Sequence, residues 1–235
     1  NPLYDWGQHE KQDYLWWQQR LKTQLELFDL IRIDHFRGFE ACWEIPASCD
    51  TAIDGQWVKA PGEALFDKLV SVFDELPLVA EDLGIITDEV TALREKYGMP
   101  GMKILQFAFG GDSDNPYLPH QHQQDSVAYT GTHDNDTTLG WYQALDQGNK
   151  DYIAAYLGDS KETMPWLLNR LALQSVAQMA VLPMQDIMGL DGSHRMNVPG
   201  TTEGNWSWAF SWDNVEEDST ERLQRLNQLY GRSEV

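Results

Sequence analysis

Cysteine and basic residues are what this sequence has least of. Only Cys42 and Cys49 are present among 235 residues, too few for a disulfide scaffold, so two free thiols are expected. Lys and Arg number 17 against 37 Asp and Glu, a net charge of −20. Such a surface repels phosphate backbones and argues against nucleic acid as a partner. No apolar run approaches the ~20 residues that span a bilayer. The opening N-P-L-Y-D-W-G has no signal-peptide pattern. No membrane association and a cytoplasmic setting are therefore expected. Internal repeats and low-complexity tracts are absent. So are H-x-x-x-H and cysteine-ligand spacings, and neither a metal nor a cofactor is expected. The loop G-G-D-S-D-N-P (110–116) carries calcium-like oxygens but lacks the acidic last ligand of an EF-hand loop.

What the chain does have is a series of short apolar runs that end in acids. The contexts are L-I-R-I-D-H-F-R-G (30–38), P-L-V-A-E-D-L-G (77–84) and V-A-Y-T-G-T-H-D-N-D (127–136). Five strand-like runs are read, at 30–34, 78–81, 102–109, 126–130 and 180–185. Helical periodicity runs over 8–28, 63–75, 87–96, 137–157, 163–177 and 216–230, and 46–62 and 189–205 read as loops. Alternating short strands and helices suit parallel pairing through crossovers. In a closed barrel of this kind the strand C-terminal ends share one mouth, where chemistry sits. The five strands fall three short of a closed eight-stranded barrel.

Each acid has a structural alternative. Arg32 and Asp34 lie two apart and share one face of a strand. A guanidinium there favours an ionised carboxylate, as a nucleophile requires, but a structural ion pair gives the same pattern. Glu81 ends a run apolar enough to half-bury it, the setting of a proton donor to a leaving oxygen. Asp82 points to the other side and competes for the same role. His133 and Asp134 offer a donor and an acceptor in fixed geometry, whereas Asn135, Asp136 and Thr137 read as a turn and a helix cap. With ten Trp, nine Tyr and eight Phe, several placed in loops (Trp43, Trp57, Trp206, Trp208), aromatic faces are available to stack on sugar rings. Three strand-end acids suit glycosidic-bond chemistry.

Six blocks carry a resemblance: R-I-D-H-F-R-G-F-E-A-C-W-E-I-P-A (32–47), W-V-K-A-P-G-E (57–63), A-E-D-L-G (80–84), G-M-K-I-L-Q-F-A-F (101–109), Y-T-G-T-H-D-N-D-T (129–137) and G-N-W (204–206). In this order the blocks resemble the 4-α-glucanotransferases, or amylomaltases, of glycoside hydrolase family 77 in the α-amylase superfamily. The resemblance implies an α/β fold, a (β/α)8 TIM barrel that is here partial. Residues 1–235 would supply about its fourth to eighth strands, with no separate second domain. Asp34 would end the fourth strand, Glu81 the fifth and Asp134 the seventh. It further implies a retaining transfer of segments between α-1,4-glucans or maltooligosaccharides. In that scheme Asp34 is the nucleophile, Glu81 the acid and base, and Asp134 the stabiliser of the distorted ring. Arg32, His133, Asn205 and Phe107 match substrate-binding positions. The family's N-terminal half, with its first three strands, is the partner this reading requires. α-Glucan hydrolysis and a non-catalytic glucan-binding fragment are the alternatives.

Overall fold

A computed structural model describes residues 2–158 and 160–233. The span 1–235 expected for a single barrel part also takes in residues 1, 159, 234 and 235, which lie outside the described residues. The chain divides into two compact units, Asn1–Met102 and Lys103–Val235.

In the first unit the sequence 8–28 forms two helices rather than one, α1 (Trp6–Lys11) and α2 (Leu15–Leu25). Asp13 and Tyr14 between them adopt left-handed backbone conformations, a region helices cannot continue through. The break lets Tyr14 turn inward, where it is buried with Trp17 and Leu21 of α2. Strand β1 (Ile31–Ile33) leads to a 3-10 turn and then to a hairpin of β2 (Ala41–Glu44) and β3 (Gln56–Lys59). The hairpin replaces part of the expected 46–62 loop. It pairs Trp43 with Trp57 across the strands, their rings 5.5 Å apart, a cross-strand contact that periodicity alone does not reveal. Helix α3 (Gly62–Val72) buries Leu65, Phe66 and Leu69 on one face. Strand β4 (Leu78–Ala80) then runs parallel to β1, with Arg32 opposite Val79. Helix α4 (Asp88–Lys96) closes the unit by burying Val90.

The division falls within β5 (Gly101–Ile104), and β5, β6 (Ser126–Tyr129) and β7 (Met179–Val181) form one sheet in that order, with β6 and β7 parallel. The expected strand 102–109 ends early: at Leu105 the chain tightens into a 3-10 turn, and the Asn115 side chain bonds the Phe107 carbonyl at 2.8 Å. The pattern over 137–157 splits into α5 (Thr138–Ala144) and α6 (Gln147–Leu157). The split occurs at Asp146, whose carboxylate caps α6 by accepting from Asn149 N–H at 2.8 Å. Helix α7 (Trp166–Gln174) follows Pro165. The expected strand 180–185 stops at Val181, because Pro183 opens a short helix α8 (Met184–Ile187). Helix α9 (Glu217–Leu229) packs Leu226 against Trp166, Leu173 and Ile187. All five strand-like runs read from the sequence overlap a strand, though β5 and β7 each begin one residue before the expected run. Among the described residues no sheet closes on itself, and no helix is long and apolar enough to cross a membrane.

Candidate active site

The first unit places Asp34, Arg32 and Glu81 at the ends of its two parallel strands. Asp34 follows β1 and stands exposed, its carboxylate paired with Arg32 at 2.9 Å. Arg32 also donates to the Met102 sulfur at 3.3 Å, so the guanidinium is held from two sides. Glu81 follows β4 and is half-buried. Both its carboxylate oxygens accept backbone N–H groups: Oε2 from His35 at 2.7 Å and Oε1 from Leu83 at 3.1 Å. The His35 backbone is left-handed, with φ 48°, and turns the chain from β1 into the 3-10 turn that follows. The two strand ends are further laced by Glu81 N–H to the Ile33 carbonyl and Phe36 N–H to the Glu81 carbonyl.

Asp82 has a different position. Its carboxylate accepts Met102 N–H at 2.8 Å and meets Arg94 at 3.4 Å, with side-chain exposures of 13% for Asp82 and 8% for Arg94. A Cβ on Gly101 would press on the Asp82 carboxylate, so a larger residue there would displace that side chain from its partners. Asp82 ties the end of β4 to the start of β5 and to α4. A cavity of about 1140 Å³ in this unit has Arg32, Asp34, His35, Trp43 and Trp57 among its lining residues. Arg37 lies over the Trp57 ring at 4.1 Å and bonds the Ile85 carbonyl at 2.6 Å. Cys42 and Cys49 are both free. Burial, and then the nearby Glu44, push the Cys42 thiol above its ordinary pKa.

The second unit carries His133 and Asp134 in the loop between β6 and α5. The loop is anchored at both ends on Asp186 of α8, which is fully buried. Thr130 Oγ1 donates to it at 2.6 Å, and Thr138 donates both its hydroxyl, at 2.7 Å, and its N–H, at 2.8 Å. Burial pushes the Asp186 carboxyl above its ordinary pKa, against the pull of these hydrogen bonds. Within the loop, Asn135 Oδ1 accepts from both the N–H and the hydroxyl of Thr132, and Thr137 caps α5 through Gly140 N–H.

Asp134 is half-exposed, with Oδ2 3.4 Å from His133 Nε2. Its Oδ1 accepts from Asn197 Nδ2 at 2.6 Å, and its carbonyl accepts from Arg195 Nη2 at 2.6 Å. The His133 ring lies 5.0 Å from Trp206, while Trp208 stacks on Phe210. Asn205 closes its own loop by accepting Val198 N–H and donating to Thr201. Phe107 is partly exposed and meets Tyr117 edge-on at 5.5 Å. Sequence reasoning missed Arg195, Asn197 and Asp186. The R-M-N segment reads only as polar loop, and its link to Asp134 spans 61 and 63 residues. Among the described residues no group of three or more His, Cys, Asp or Glu side chains is placed to hold a metal ion.

A family model described as 4-alpha-glucanotransferase matches residues 1–214. The 4-alpha-glucanotransferase of Thermus thermophilus is 51% identical, over 96% of this chain and 47% of its own. The chloroplastic/amyloplastic 4-alpha-glucanotransferase of Arabidopsis thaliana is 47% identical, over 99% of this chain and 41% of its own. A solved structure of amylomaltase from Streptococcus agalactiae in complex with acarbose superposes with a TM-score of 0.95 at 34% identity, covering 100% of this chain and 48% of that one. The chain spans about half the length of the curated relatives it matches.

Proposed function

Because the chain belongs to the 4-alpha-glucanotransferase family, we propose that the whole protein moves α-1,4-glucan segments between maltooligosaccharide or glucan chains by a retaining double displacement. Asp34 attacks the anomeric carbon while Glu81 gives its proton to the departing glucosyl oxygen. The 4-hydroxyl of an acceptor glucan then attacks the glycosyl–Asp34 ester, and Glu81 takes the hydroxyl proton. Asp134 binds hydroxyls of the distorted ring and offsets its developing positive charge. Arg32 and His133 support that ring, and Phe107 and Asn205 contact substrate. In Asn205 that role is compatible with the loop-closing bonds only through its remaining hydrogen-bond capacity.

The observation that carries this reading is the join between the two strand ends. The N–H of the residue following Asp34 bonds the carboxylate of Glu81. Asp82, the rival for the acid's role, is tied to the Arg94 guanidinium, whereas Glu81 accepts neutral backbone N–H groups, which favours Glu81. We further propose that β1, β4, β5, β6 and β7 are the fourth to eighth strands of one (β/α)8 catalytic barrel to which both units belong. Its N-terminal half is this chain's partner in a cytoplasmic enzyme.

Hydrolysis would use the same acids with water as the final acceptor. Incubating the whole protein with maltotriose separates the two. Longer maltooligosaccharides together with glucose are expected; glucose and maltose alone would sink transfer.

A further inference from the structure

We propose that Asn197 and Arg195 are positioning residues for Asp134, a role that rests on the reading of Asp134 as the acid facing the reacting ring. A half-exposed carboxylate on a loop has a broad, nearly free terminal torsion, whereas stabilising a short-lived charge demands an acceptor already in place. Three hydrogen bonds supply that order. Asn197 Nδ2 holds Asp134 Oδ1 at 2.6 Å, Arg195 Nη2 holds the Asp134 carbonyl at 2.6 Å, and Arg195 Nε holds the Asn197 carbonyl at 2.7 Å. The bonds close a ring that grips one residue by side chain and backbone together. Asp134 can therefore neither rotate its carboxylate nor tilt its peptide without breaking one of them.

The division of labour within this brace is chemical. The neutral amide is given to the carboxylate and the guanidinium to the carbonyl. Reversed, the arginine would set a fixed positive charge on the oxygen that must answer a developing one. The brace is itself seated, since Trp206 N–H bonds the Met196 carbonyl at 2.8 Å and the Trp206 ring lies on His133.

The test is Asn197→Ala in the whole protein, alone and combined with Asp134→Asn. We expect kcat to fall about 10²-fold, the scale of a misplaced reacting group, with KM within about threefold of wild type. The double variant should be no slower than Asp134→Asn alone, because both changes act on one group. A kcat within about threefold of wild type, or losses that multiply in the double variant, would overturn the role. So would a loss that vanishes on cooling, which marks a merely structural residue. A crystal structure of Asn197→Ala decides the matter without activity: a reoriented Asp134 carboxylate supports the brace, and an unmoved one refutes it. If the wild-type protein neither transfers nor hydrolyses glucan, the proposed function fails, and this structural comparison still tests the brace.

Discussion

The two units hold their acids by opposite means. In the first, Asp34 and Glu81 are fixed by the ends of β1 and β4, using backbone N–H groups and an arginine two residues away. In the second, Asp134 hangs on a loop and is held by side chains more than sixty residues downstream. A parallel strand pair thus carries its own positioning machinery. A loop acid has to recruit it from elsewhere in the chain, and the buried Asp186 does the same for the ends of that loop.

The sharpest way to break this comparison is Glu81→Gln in the whole protein. The amide keeps the shape but cannot donate and recover a proton, so turnover should fall by about 10³-fold or more while glucan binding, followed by calorimetry, persists. Near-normal turnover would move the acid's role elsewhere. Asp82→Ala comes next. It strips Arg94 of a buried carboxylate and Met102 N–H of its acceptor, costing about 3 kcal/mol. Hydrogen exchange should show that loss in the first unit; equal protection of variant and wild type would mean the strand ends need no such tie.

The smallest effect is proton-linked and belongs to the second unit. Burial holds His122 below its ordinary pKa of 6.5, and its Nδ1 is buried with no hydrogen-bond partner among the described residues. The unfolded chain takes up the proton near 6.5 and the folded one only at lower pH. Its contribution is therefore full above 6.5 and is lost as pH falls through the depressed folded value. His122→Gln should flatten that part of the stability profile measured by urea unfolding. An unchanged slope would assign it to other groups.

Much of the first unit was legible in the sequence because its contacts are local. Arg32 and Asp34 are two apart, Glu81 ends its apolar run, and the acids follow strands of the expected kind. The apolar run favoured Glu81 over Asp82 as the inward acid, but the tie between Asp82 and Met102 N–H was not legible, since it links residues 20 apart. The break at Asp13 and Tyr14 escaped because the hydrophobic spacing of 8–28 continues across it. Trp43 and Trp57 were read as loop aromatics, but pairing across a hairpin is a register fact, invisible until both strands are placed. In the second unit Thr137 was legible as a cap, whereas Asn197 was not. Nothing local marks an asparagine whose partner lies 63 residues away.

His35 adopts a left-handed backbone conformation, uncommon outside glycine though histidine is among the residues that enter it most, and its N–H meets Glu81. That N–H belongs to the peptide joining Asp34 to His35. The end of β1 and the carboxylate at the end of β4 are thereby joined through one rigid peptide plane, alongside the backbone bonds that lace the two strand ends. In a glycosidase-like reaction the span between the two acids decides whether a water fits between them and so whether the anomeric configuration is kept. If Asp34 and Glu81 are that pair, the peptide at His35, which performs none of the bond-making, would be one of the parts that fix the stereochemistry of the product.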